Sequence, residues 1–135
     1  TQLGNVRFLL VSAEDLGGVL KSTSSYVKDL VTTEKFIKLV VGAQNKGKNN
    51  IGQYAWEVGN IVDSEGRNFV SINDRAYLWV PKPDLCGAVL KPEFEPTPCV
   101  KYYEVSKISS NLKVVIRVKE PSAKESFLDL RLTSF

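Results

Sequence analysis

Histidine and methionine are absent from this sequence, and cysteine occurs only twice. Histidine is the commonest general base and a frequent metal ligand. Its absence, together with the low cysteine count, excludes zinc sites of the two-cysteine, two-histidine type and of the four-cysteine type. A cysteine nucleophile would also lack a histidine base. We therefore expect a protein that is not an enzyme and that holds no metal ion and no cofactor.

Excess charge and long apolar runs are also scarce. The net charge is +3 and the pI is about 8.8, which only weakly favours an acidic partner. No apolar run reaches the roughly 18 residues of a membrane span. The first residues lack the basic and then apolar pattern of a signal peptide, so we expect none. None of the eight asparagines begins an Asn-x-Ser/Thr triplet, and the compartment stays unknown.

The composition that is present is that of an ordinary globular protein. The chain has 135 residues, of which 43% are hydrophobic and 24% are charged. These proportions argue against disorder, and the length suits one domain. We expect a single domain over residues 1–135.

Alternation of apolar and polar residues is the clearest pattern. In 112–119 the even-numbered residues are apolar, and 126–133 alternates in the same way. A period of two indicates strands with one buried face and one wet face. Further strands are predicted at 6–11, 36–41, 54–62, 67–72, 77–80 and 100–108. The sequence therefore predicts a mainly β protein, an antiparallel β-sandwich or barrel of about seven to nine strands.

One helical segment is expected in the amino-terminal half, over about 13–32. Leu16, Leu20, Val27 and Val31 fall on one helical stripe. Gly17-Gly18 and the serine-rich run that follows weaken this helix, at roughly 1 kcal/mol for each glycine. The segment is thus predicted as one irregular helix or as two short ones.

Prolines are concentrated in residues 81–98, where five of the six occur. Proline cannot donate to a β-ladder, so this segment is predicted to be a sheet edge or an ordered surface loop. Cys86 and Cys99 flank most of these prolines, and we expect them to lie close together in space. They form a disulfide in an oxidising compartment or two free thiols in a reducing one.

Two neighbouring strands carry the candidate nucleic-acid contacts. If their faces coincide, they form a cationic sheet surface with one aromatic ring for base stacking. The alternative is a solvated outer face with ordinary surface lysines. The candidate residues are Lys101, Tyr103, Lys107, Lys113, Arg117 and Lys119.

Two loops carry candidate partner contacts. Lys46 and Lys48 lie in the polar, glycine-rich loop 42–52, and the alternative is a flexible hairpin loop without a partner. Leu85 and Phe94 lie in the proline-rich segment, where they anchor a partner or fold back over the open end of the sandwich. Four aromatic residues are predicted to pack in the core, with lectin or membrane contact as the alternative: Tyr54, Trp56, Tyr77 and Trp79.

Two resemblances concern architecture alone. The stretches from Phe36 to Trp56 and from Tyr102 to Phe135 are similar in strand order to actinoporin-like fungal lectins. Strand 111–119 resembles the RNA-facing strands of small RNA-phage coat proteins. We therefore favour a non-enzymatic structural or assembly protein, such as a virus or phage coat-type subunit. It would be a homo-oligomer, with RNA as a candidate partner, and the alternative is a lectin-like or membrane-binding β module.

Overall fold

The computed structural model describes residues 1–119 and 122–132, and these residues form strands, turns and loops without any helix. Residue 133, where the last predicted strand ends, lies outside the described residues. The strands are β1 (Gln2–Leu3), β2 (Val6–Leu20), β3 (Leu30–Asn45), β4 (Trp56–Val62), β5 (Asn68–Phe69), β6 (Thr97–Val105), β7 (Lys113–Val118) and β8 (Lys124–Asp129).

These strands form two antiparallel sheets of four strands each. The first sheet has the order β1-β2-β3-β6, and the second has the order β5-β4-β7-β8. Their inner faces pack together around one large apolar cluster, in which Phe8 of the first sheet meets Trp56 of the second with 6.3 Å between ring centroids. The prediction of a mainly β, antiparallel architecture with seven to nine strands is confirmed.

The predicted helix over 13–32 is wrong, because this segment forms the long hairpin of β2 and β3. Leu20 pairs with Leu30, and Val19 pairs with Val31. Side chains spaced four residues apart share a face in a strand as well as in a helix, so the apolar stripe did not distinguish the two. Register shifts around Gly17, whose φ is +69°, make the strand pattern irregular.

The alternation in β7 predicted the inner face of the second sheet correctly. Leu112, Val114, Ile116 and Val118 are all buried in the main core. The predicted strand over 54–62 is confirmed only from Trp56 onward. Its regular alternation is interrupted by a register shift between Val58 and Ile61, which brings Ile61 into the core.

The outer face of the first sheet carries a second, smaller core. Residues 71–80, here called the covering segment, fold over this face in a series of turns. Phe36 and Tyr102 of the sheet are buried against Ile72 and Ala76 of the covering segment. The predicted strand at 77–80 is therefore wrong, since these residues belong to the turns.

The proline-rich segment is an ordered surface loop up to the start of β6, as predicted. Cys86 and Cys99 are joined by a disulfide, with 4.5 Å between their Cα atoms, which confirms that they lie close together. Residues 42–45 of the predicted loop 42–52 belong to β3, and backbone hydrogen bonds in both directions between Ile51 and Leu90 connect the remainder of that loop to the proline-rich loop. The two predicted partner loops thus lie side by side.

Candidate functional site

The outer face of the second sheet carries the predicted basic stripe of β7, but carboxylates neutralise much of it. Arg117 contacts Glu57 at 2.9 Å through Nη1 and Glu125 at 2.5 Å through Nε. These hydrogen bonds from the guanidinium to the two carboxylates raise the pKa of Arg117. Lys119 lies 3.8 Å from the same Glu57. Lys113 stands directly across from Asp129 of β8.

The β6 candidates lie on the other sheet, so the two strand faces do not form one surface. Tyr103 is fully buried, and its hydroxyl donates to the carbonyl oxygen of Gly59 at 2.6 Å. Burial raises the pKa of Tyr103. This corrects the expectation of an outward aromatic ring, because a buried tyrosine cannot stack on a base. Lys107 lies in the turn after β6, where its backbone amide donates to Glu34.

Lys101 occupies an unexpected position, on the core-facing side of β6. It pairs with Leu39, and the residues two positions before and after it, Cys99 and Tyr103, are buried. The side chain reaches a small cleft of about 180 Å³ at one end of the sandwich. Lys119 lines the same cleft, so the structure brings together two of the five predicted cations at this point.

Hydrogen bonds to the backbone and a disulfide hold the walls of this cleft in place. Tyr54 has a φ of 64°, and its backbone amide donates to the carbonyl oxygen of Gly87 at 2.7 Å. A Cβ atom at position 87 would lie only 3.0 Å from Cδ1 of Tyr54, so the ring packs directly on glycine backbone. The indole of Trp56 donates to the carbonyl oxygen of Ala88 at 2.7 Å. The Cys86–Cys99 disulfide fastens this loop to β6.

Sequence reasoning missed this cleft, although one signal was available. A lysine at 101 interrupts a series of core-facing positions, and charged residues seldom face a core without a partner or a function. Burial lowers the pKa of Lys101, whereas the charges of Asp84 and Glu57 raise it less. The alternation of Lys101, Tyr103 and Lys107 was interpreted as a basic, aromatic outward face, whereas Lys101 and Tyr103 face the core.

Two of the four predicted partner contacts, Lys46 and Phe94, meet at a turn at residues 91–94, here called the Phe94 turn. Phe94 is 61% exposed, so it does not plug the sandwich. The Gln44 side chain donates to the Phe94 carbonyl oxygen at 3.0 Å, and Lys46 forms an ion pair with Glu93 at 2.9 Å. The ammonium of Lys91 lies 5.5 Å from the centre of the Phe94 ring.

A groove of about 550 Å³ lies beside the Phe94 turn. Its walls include the exposed Val89 and the buried Leu90, together with polar side chains such as Gln44 and Thr97. Lys48 is exposed in the loop that follows β3 and is not among the residues that line this groove. Leu85 lies apart, in a small cavity of about 60 Å³ with Val80 and Pro98, so the structure does not bring it to Phe94.

The β2–β3 hairpin contacts the covering segment, and both carry exposed aromatic residues. The indole of Trp79 donates to the carbonyl oxygen of Lys21 at 2.8 Å, next to the hairpin tip. Tyr26 at this tip is 96% exposed, and Tyr77 and Leu78 are exposed on the covering segment. Of the four aromatic residues predicted to be in the core, Trp56 is confirmed there, Trp79 is partly buried against the second core, and Tyr54 and Tyr77 are exposed.

Within residues 1–119 and 122–132, no three histidine, cysteine, aspartate or glutamate side chains are grouped so as to hold a metal ion. None of the described segments is a helix long and apolar enough to cross a membrane. Comparison with known proteins finds no family model, no curated protein and no solved structure that matches the chain.

Proposed function

We propose that this protein is a non-catalytic assembly domain that associates with further copies of itself through the Phe94 turn. The observation that carries the proposal is the exposed Phe94 ring on a turn fixed by the bonds from Gln44 and Lys46. An exposed aromatic ring beside an open groove is typical of a contact surface.

Rigidity and geometry both favour this surface. Because the turn is already ordered, little conformational entropy is lost when a partner packs on it. Burying a phenylalanine contributes roughly 1.5–3 kcal/mol. The Phe94 ring lines one side of the groove, so a two-fold axis at this surface would bring the ring of each copy toward the groove of the other. Such a contact is self-complementary, as closed dimers require.

The mass of the protein in solution tests this proposal. Sedimentation or light scattering over a range of concentrations is expected to show species larger than the 15.0 kDa monomer. Phe94→Ala should return the protein to a monomer without lowering its melting temperature. Phe127→Ala is the matched control, because Phe127 is also about half-exposed but lies on the outer face of β8. A wild-type monomer at all concentrations would contradict the proposal.

A more specific prediction is that the assembled protein is a coat-type subunit that binds RNA. The cations of β7 support it, but their ion pairs with Glu57 and Glu125 reduce the charge that phosphates would meet. Each phosphate contact should add roughly 0.7–0.9 to the slope of log K against log salt. A Lys113→Gln, Arg117→Gln, Lys119→Gln variant should flatten this slope. An unchanged slope would exclude this face as the RNA site.

Membrane binding is the second candidate, and the exposed aromatic residues near the hairpin tip favour it. Tyr26 and Tyr77 are accessible there, and Lys82 lies 5.7 Å from the ring of Tyr77. Tyrosines with nearby lysines are typical of surfaces that bind anionic lipid. Sedimentation with phosphatidylserine vesicles should carry the protein down, and Tyr26→Ser with Tyr77→Ser should prevent it. Equal binding to neutral vesicles would contradict the proposed attraction between the lysines and anionic lipid.

A further inference from the structure

We infer that the cleft at the end of the sandwich binds a small organic carboxylate, with the Lys101 ammonium as its anchor and the Tyr54 ring as its apolar wall. This inference does not depend on self-association, because the cleft is separate from the groove beside the Phe94 turn.

The position of Lys101 is the first observation. It faces the gap between the sheets, in register with Leu39 and between the buried Cys99 and Tyr103. Among the described residues, no carboxylate lies within ion-pair distance of its ammonium. A partly desolvated cation without a close partner is unfavourable for the fold, and an anionic ligand would remove that cost.

The rigidity of the walls is the second observation. Tyr54 adopts a left-handed backbone conformation that a tyrosine rarely takes, and its ring rests on Gly87. Such a conformation persists only where surrounding contacts impose it, and it is found disproportionately at binding sites. The disulfide at Cys86 holds the same loop. The cleft is therefore preformed and needs little reorganisation to accept a ligand.

Charge and shape together define the ligand class. Lys101 and Lys119 contribute two positive charges to the cleft, Glu57 on its wall is paired with Arg117 and Lys119, and the charge of Asp84 also acts on Lys101. The small net positive charge fits a monocarboxylate better than a phosphate dianion. The aromatic walls of Tyr54 and Trp56 fit a ligand with an apolar or planar body. The volume of about 180 Å³ restricts that body to roughly one ring.

Titration with benzoate, followed by NMR on the intact protein, tests the inference. We expect saturable shifts at residues that line the cleft, and at least tenfold weaker binding for Lys101→Gln. Lys124→Gln is the matched control, since Lys124 is an exposed lysine at the start of β8, and it should bind benzoate like the wild type. Absence of saturable shifts, or equal affinity of Lys101→Gln, would overturn the inference.

Three further measurements separate the possible outcomes. Inorganic phosphate should bind more weakly than benzoate, and tighter binding of phosphate would overturn the assignment to an organic carboxylate. Lys101→Met should raise the melting temperature, because it removes a desolvated charge, while it abolishes benzoate binding. A lower melting temperature would show that Lys101 supports the fold and is not a ligand anchor. Tyr54→Ala should weaken benzoate binding but keep a saturable response.

Discussion

The outer faces of the two sheets are built in opposite ways. On the second sheet, Glu57, Arg117 and Glu125 form a row of ion pairs in contact with water, and Phe127 beside them is 48% exposed. On the first sheet, the outward ring of Phe36 is completely buried under the covering segment. One protein therefore contains a sandwich face open to solvent and another that serves as a second core.

This difference explains where apolar alternation indicates burial and where it does not. A face in contact with water needs polar residues, so β7 and β8 alternate clearly. A face covered by a loop accepts apolar residues on both sides of the strand, as at the adjacent and fully buried Phe36 and Ile37. Adjacent apolar residues on opposite faces of a strand thus predict a third layer of structure, here the covering segment.

Replacing a phenylalanine by alanine on each of the two outer faces should give the largest difference in the free energy of unfolding. Phe36→Ala removes a fully buried ring from the second core and should lower the free energy of unfolding by about 3–5 kcal/mol. Phe127→Ala removes a half-exposed ring and should cost about 1 kcal/mol or less. Urea unfolding of both variants measures the contrast. Equal losses would mean that the covering segment does not form a core.

The second sheet was the part that the sequence predicted best. Its strands β7 and β8 have one consistent apolar face, and Val114 and Leu128 lie where the alternation placed them. The β2–β3 hairpin was missed, because a spacing of four residues fits a strand and a helix equally. The covering segment was missed because its turns are held by contacts distant in sequence, such as Ile72 with Tyr102.

The candidate sites were only partly predictable. Phe94 was singled out because an apolar residue among prolines cannot lie inside a sheet, and the structure shows its ring exposed, which excludes the alternative that it covers the end of the sandwich. The cleft was not found, because it needs Lys101 and Tyr54 from elements far apart in the sequence. The ion pairs of Arg117 were also not foreseen, because they depend on which strands flank β7.

Loss of the disulfide should weaken the attachment of the proline-rich segment to the first sheet. Cys86 and Cys99 are 13 residues apart, and closing a loop of this size contributes about 3 kcal/mol in the chain-entropy model. The double variant Cys86→Ala, Cys99→Ala should show this loss in urea unfolding. The wild type with reductant should approach the same stability. No loss in either sample would mean that the loop is held by its other contacts alone.

The disulfide also indicates whether the protein resides in an oxidising or a reducing compartment. Such bonds persist in oxidising surroundings and are rare where glutathione keeps thiols reduced. Thiol labelling of protein from its native source, without reductant, should leave Cys86 and Cys99 unmodified. Rapid labelling of both would indicate a reducing compartment.

The buried carboxylate of Asp63, which follows β4, should make a smaller contribution to the free energy of unfolding, and this contribution should depend on pH. Burial alone would raise the pKa of Asp63, but hydrogen bonds from Ser109, Arg67 and the backbone amides at 65 and 67 outweigh it and hold the pKa well below its usual range. The stabilisation is therefore complete above the unfolded value of about 3.9 and is lost as the pH falls below it.

The variant Asp63→Asn isolates this contribution, because the other acids titrate equally in both proteins. Its deficit in the free energy of unfolding, relative to the wild type, should be larger at pH 7 than at pH 3. A deficit that does not change with pH would show that the charge of Asp63 is not what stabilises the turn.

The smallest effect is expected for Arg117→Gln, on the open face of the second sheet. Its guanidinium makes two ion pairs, but both carboxylates and the arginine itself are about 40–50% exposed. Water and salt screen such pairs, which typically contribute about 0.2–1 kcal/mol. Urea unfolding at low and high salt should show a small deficit that shrinks as salt is added. A loss comparable to that of Phe36→Ala would mean that the ion-pair row organises the second sheet as strongly as the covering segment organises the first.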